Sequence, residues 1–185
     1  MSAPQTSARM DGRAHANGGE SMDKTEIWRE TRARIRALTE GEEDVVALMA
    51  TVACELFHAF DGWDWVGFYR NVGGETLKIG PYQGGHGCLT IPFSRGVCGA
   101  AARTGRTQVV DDVDAFPGHI ACSSSTRSEI VAPVFDGRGA LLGVLDVDSD
   151  RPAFFDDQDR AEIEAMLAEV FGRLGAGSAD GRAAG

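Results

Sequence analysis

Residues 129–148, EIVAPVFDGRGALLGVLDVD, restrict the folds open to this chain more than any other stretch. Two apolar runs flank the turn Asp136-Gly137-Arg138-Gly139, which predicts an antiparallel hairpin with strands over 129–135 and 140–147. Alternation places Leu142 and Val144 on one face of the second strand and Leu141, Leu145 and Val147 on the other. An edge strand, or one wetted on one side, would carry polar residues on one face. A strand apolar on both faces is predicted to be central, in a sheet covered on both sides. Asp146 and Asp148 continue the Leu142/Val144 face, so the pattern sends two carboxylates to a buried sheet end.

The rest of the chain supplies the covering layers. Residues 1–22 are small and polar and read as a flexible tail, as do residues 175–185, leaving one domain over 23–174. From Asp23 a helix is expected, with Ile27, Trp28, Ile35 and Leu38 at helical spacing. Thr39-Glu40-Gly41-Glu42 has the capping-box form and is expected to open a second helix, with Val45, Met49, Val52, Leu56 and Phe60 on one face. Strands are expected over 63–69, 76–79, 89–92 and 108–110. In the first of these Trp63, Trp65, Gly67 and Tyr69 fall on one side and Val66 and Phe68 on the other. Ser94 is a candidate cap for a short helix over 95–103, and Phe155-Asp156-Asp157 opens a last helix with Ile163, Leu167, Val170, Phe171 and Leu174 inward. Helices, strands, a short helix, a long loop, strands and a helix make an α+β domain with an antiparallel sheet.

The net charge of −10 disfavours nucleic acid and anionic membranes as partners, since both require clustered Lys and Arg. No apolar run reaches the roughly 18 residues of a spanning helix. The first twenty residues lack the apolar centre of a secretory signal, so the four cysteines are expected in a reducing cytoplasm, where catalysis or metal binding outweighs structural disulfides.

Three of those cysteines sit in glycine-rich contexts: GGHGC ending at Cys88, SRGVCG around Cys98 and FPGHIAC ending at Cys122. Cys54 lies within the second expected helix and reads as a small apolar residue. Thiols in loops beside carboxylates point to sulfur redox chemistry, in which one thiolate attacks and a second resolves the sulfenic acid as a disulfide. Cys98 is a candidate nucleophile because the first turn of a helix favours thiolate. Cys122 is equally a candidate, with His119 upstream and Arg127 nearby, and the residues alone do not choose. Asp146 and Asp148, joined by Glu129, would repel one another if buried. At least one would then hold a proton at neutral pH as a general acid while another binds an ammonium. A zinc site from Cys88, Cys98, His119 and Cys122 is a weaker reading, because the spacing lacks paired CxxC knuckles.

Six motifs in order, WVGFY (65–69), GPYQG (80–84), IPFSRGVCG (91–99), DAFPGHIAC (114–122), RSEIV (127–131) and GVLDVDS (143–149), resemble those of the free methionine-(R)-sulfoxide reductases, a catalytic branch of the GAF-domain superfamily. The resemblance covers residues 23–174. It implies a six-stranded antiparallel sheet with helices packed on it and loops closing a small-ligand pocket. It also implies the reduction of free L-methionine (R)-S-oxide, with thioredoxin as reductant and a homodimer as assembly, and no cofactor or metal. By resemblance Cys122 is the attacking cysteine, and Cys88 and Cys98 are resolving or partner cysteines. Glu129, Asp146 and Asp148 bind substrate, and Trp65 and Tyr69 wall its methyl-sulfoxide end. The alternative is a non-catalytic GAF-type module that binds a small ligand or senses oxidants through its thiols.

Overall fold

In the computed structural model, which describes residues 23–120 and 123–175, one sheet runs through the molecule and divides it into two unlike halves. In chain order the elements are α1 (Lys24–Leu38), α2 (Val45–Ala59), β1 (Trp65–Asn71), β2 (Thr76–Gln83), β3 (Thr90–Pro92), α3 (Gly96–Thr104), β4 (Gln108–Val110), a 3₁₀ turn (Val113–Ala115), β5 (Ser128–Phe135), β6 (Leu141–Ser149) and α4 (Asp157–Phe171). The strands lie in the order β3-β2-β1-β6-β5-β4, every neighbouring pair antiparallel. The β5–β6 hairpin read from the sequence is present, and β6 is central as its two apolar faces require.

On one face, α1, α2 and α4 bury Trp28, Ile35, Leu48, Met49, Val52, Leu56, Ile163, Met166 and Phe171 against Val66, Phe68, Ile130, Leu145 and Val147 of the sheet. On the other face a smaller cluster joins Trp65, Tyr69, Val131 and Val144 to Leu77 and Ile91 and to Val97, Cys98 and Ala101 of α3. Apart from the first residues of β6, the strands alternate between the two, so residue parity in β1, β5 and β6 decides which layer a side chain joins. This parity carries the chemistry to the α3 side.

Four local expectations are corrected. Trp63 precedes β1 rather than lying within it. It packs in the three-helix layer, stacked on Phe60 with centroids 4.3 Å apart, and so shares no face with Trp65. The register shift between Val134 and Phe135 sets Phe135 opposite Leu141 and inverts the start of β6. Leu142 joins the three-helix layer and Leu141 the α3 layer, while Val144, Asp146 and Asp148 keep the predicted parity. Thr39 opens no helix: it ends α1, its hydroxyl donating to Ile35 O at 2.8 Å, and Asp44 caps α2 by accepting from Ala47 N. At α3 the cap position is Arg95, with no side-chain cap bond, rather than Ser94. Asp156 and Asp159 form a reciprocal capping box for α4. The tails expected over 1–22 and 175–185 lie, apart from Gly175, outside the described residues.

Candidate active site

The adjacent ends of β5 and β6 bring three acids together. Glu129 pairs in register with Asp148, and Val131 with Asp146, while Asp146 and Asp148 are themselves aligned with Gly67 and Trp65 of β1. Glu129, Asp146 and Asp148 each place one carboxylate oxygen within 4.8 Å of the other two. Glu129 is 5% exposed and Asp146 6%. They line a small cavity whose other walls are Ile91 of β3, Gly96, Val97 and Cys98 at the start of α3, and His119, Ile120, Ser123 and Thr126 of the loop before β5.

Burial and the mutual repulsion of the acids govern the electrostatics. Desolvation, followed by the charge of Asp146, pushes the Glu129 carboxyl well above its ordinary range. Asp148 is raised by burial and by the charges of Asp146, Glu129, Asp150 and Asp64. Asp146 is pushed up to about 7 by burial, against the opposing pull of a hydrogen bond from the Cys98 thiol. That bond runs from Cys98 Sγ to Asp146 Oδ2 at 3.2 Å. Among the described residues, Glu129 Oε1 and Asp146 Oδ1 are buried with no hydrogen-bond partner. His119 Nδ1 is 3.7 Å from Glu129 Oε1, beyond hydrogen-bond length. Two orphaned acceptors beside three acids short of cations describe a cavity complementary to a donor-rich, positively charged group.

The thiols divide. Cys88 is disulfide-bonded, whereas Cys54 and Cys98 carry free thiols. The helix-dipole argument for a Cys98 thiolate is corrected: burial and the charges of Asp146 and Glu129 raise its pKa well above the ordinary thiol value. Cys98 therefore stands as a protonated donor to Asp146. A zinc site that counts on Cys88 loses a ligand, since a disulfide sulfur offers no thiolate. Cys54, in α2, lies on the three-helix side with Sγ 3.8 Å from His58 Nδ1, away from the cavity. Cys122 lies outside the described residues. Trp65 and Tyr69 pack in the α3 layer with Cys98 and Cys88, but their rings stand behind the cavity rather than in its lining.

Residues 24–174 match the GAF domain family. The chain is 37% identical over 158 residues to the free methionine-R-sulfoxide reductase of Saccharomyces cerevisiae, spanning 82% of this chain and 88% of that one. To the free methionine-R-sulfoxide reductase of Escherichia coli it is 36% identical over 149 residues, 80% of this chain and 89% of that one. The chain belongs to the GAF-domain family of free methionine-R-sulfoxide reductases. Among solved structures, the free methionine-R-sulfoxide reductase from Neisseria meningitidis in complex with its substrate is 45% identical, with a TM-score of 0.76 over 85% of this chain and 93% of that one. In this member of the reductase family, sequence reasoning assigned no role at the acids to His119, which sits beside Glu129. A histidine in a long polar loop carries no periodic signal of what it will face. The packing of Trp65 against Tyr82 was likewise not foreseen, because it joins neighbouring strands and has no local trace.

Proposed function

We propose that the protein reduces the free (R)-sulfoxide of L-methionine to methionine, with thiols as the electron source. The observation that carries this reading is the convergence of Glu129, Asp146 and Asp148 in one small cavity, with orphaned acceptor oxygens and, among the described residues, no lysine or arginine paired with them. A free amino acid brings the ammonium that such a cavity lacks. A methionine sulfoxide inside a polypeptide brings an amide and leaves the acids unpaired, so selection of the free amino acid follows from desolvation. Val97 and Cys98 belong to the first turn of α3, whose N–H groups have no partner within the helix and suit the α-carboxylate.

The chemistry needs an acid opposite a nucleophile. In the proposed cycle the Cys122 thiolate attacks the sulfoxide sulfur while a carboxyl of the cluster protonates the oxygen. The new bond between Cys122 Sγ and the substrate sulfur and the S–O bond then break together as the hydroxyl passes to Cys122; methionine leaves with the electron pair, and Cys122 carries the oxygen as a sulfenic acid. The Cys88 thiol then attacks that sulfur, releasing water and closing a disulfide. An external dithiol, proposed to be thioredoxin, reduces the disulfide and becomes a disulfide itself. The sum is sulfoxide plus dithiol giving thioether, disulfide and water. The disulfide at Cys88 and the free, protonated state of Cys98 support Cys88 as the resolving cysteine. A homodimer in the cytoplasm completes the proposal.

Incubating the protein with each diastereomer of free methionine sulfoxide and a small dithiol tests the reading. Methionine is expected from the (R) form alone and not from an N-acetylated, amidated analogue. Equal turnover of the capped analogue would overturn it. Cys122→Ser is expected to abolish even a single turnover, whereas Cys88→Ser yields one equivalent of methionine and then stalls.

A further inference from the structure

The aromatic pair of β1 is tied to the cysteine loop more closely than to the cavity. Residues 84–88 read Gly-Gly-His-Gly-Cys, a segment whose glycines give it large conformational freedom. Gly84, Gly85 and His86 are exposed, so little packing from above holds it. Besides the disulfide at Cys88, two contacts from below do. Trp65 Nε1 donates to Gly85 O at 3.1 Å, and the Tyr69 hydroxyl meets the backbone at Gly87 and Cys88. The two rings are stacked 5.8 Å apart, and Tyr82 stacks on Trp65 at 5.5 Å. Tyr69 is 1% exposed and Trp65 7%, so both handles are fixed in the α3 layer. The loop lies so close that a Cβ at Gly87 would stand 2.8 Å from the Tyr69 hydroxyl and 3.2 Å from the Trp65 ring.

Resting on the proposed reaction, we propose that Tyr69 and Trp65 are positioning residues for Cys88, clamping its loop so that its sulfur stays within reach of the sulfenic acid formed on Cys122. A resolving thiol on a free glycine loop spends most of its time elsewhere. Pinning the loop at Gly85 and Cys88 raises its effective concentration at the reacting sulfur. The tightness of the clamp governs how long the sulfenic acid survives, and with it the exposure of the enzyme to over-oxidation.

The experiment compares two steps in one sample. Rapid-quench methionine yield gives the rate of the first turnover, and the decay of a sulfenic acid trapped by dimedone and weighed by mass spectrometry gives the rate of resolution. Tyr69→Phe keeps the ring and removes the hydroxyl that meets the loop backbone. It is expected to lower the ratio of resolution to first turnover by about tenfold, roughly the weight of one net hydrogen bond. Gly87→Ala, which disturbs the same contact from the loop side with Tyr69 intact, is expected to lower the ratio in the same direction. Circular dichroism of each variant checks folding. A ratio unchanged in both variants, or a loss confined to the first turnover, would overturn the clamp. Should the wild type make no methionine at all, the proposed reaction itself fails, a result distinct from that one.

Discussion

The bond from Cys98 Sγ to Asp146 Oδ2 couples a thiol that holds its proton to a carboxyl poised near neutrality. The thiol favours the ionised carboxylate and so draws the Asp146 pKa downward, while burial drives it up to about 7. In Cys98→Ala only burial remains. If the cluster supplies the proton to the sulfoxide oxygen, the alkaline limb of kcat/KM should then move to higher pH, by roughly half to one pH unit for a hydrogen bond of about 1 kcal/mol. The pH profile of kcat/KM checks this, and an unmoved limb would remove Asp146 from the proton path. The acids interact, so the limb belongs to the cluster rather than to one residue.

At the scale of elements, β6 shows what was readable and what was not. Its central position followed from two apolar faces, and the placement of Asp146 and Asp148 beside Val144 followed from parity counted back from the strand's end. Leu141 and Leu142 were assigned to the wrong layers because a register shift leaves no local mark in an apolar run. Trp63 was misplaced for a related reason: the pattern of β1 continues into Trp63, but the backbone leaves the sheet before Trp65 and delivers the indole to Trp28 and Phe60. The start of α2 was misread because Thr39 and Asp44 both have capping chemistry, and only the packing of the connection decides between them. For the site, the acids were legible from strand parity. The loop residue His119, the orphaned oxygens and the contacts beneath the cysteine loop arise between distant segments and were not. The β1–β6 contact is also where one atom should matter most. A Cβ at Gly143 would be driven into the carbonyl oxygen of Tyr69 on the neighbouring strand. Gly143→Ala should therefore cost about 2–4 kcal/mol in urea denaturation, the scale of an overpacked interior. A loss below about 0.5 kcal/mol would show that β1 and β6 separate easily.

For the molecule as a whole, the acid cluster sets a stability cost that grows with pH. A carboxyl whose folded pKa is raised keeps its full stabilising balance below its unfolded value and loses it as pH climbs through the folded value. For Asp146 the window runs from about 4 to about 7, and alone it would amount to something on the order of 4 kcal/mol. Glu129 and Asp148 shift in the same direction. The ligand-free protein should therefore lose melting temperature between pH 5 and 8, and Asp146→Asn should flatten that slope. Thermal scans across this range check it, and a melting temperature that rises with pH would contradict the burial of the cluster. Among the described residues no helix is long and apolar enough to cross a membrane.

In the proposed cycle the three acids also fix how the enzyme must treat what it makes. Methionine differs from its sulfoxide by a single oxygen and carries the same ammonium and carboxylate, so every charge that draws the reactant into the cavity holds the product there as well. Only the lost oxygen, with the proton it had taken from the cluster, distinguishes entry from exit. A pocket that reads amino-acid termini so strongly will sense the concentration of free methionine around it, and its turnover should slow as that pool fills.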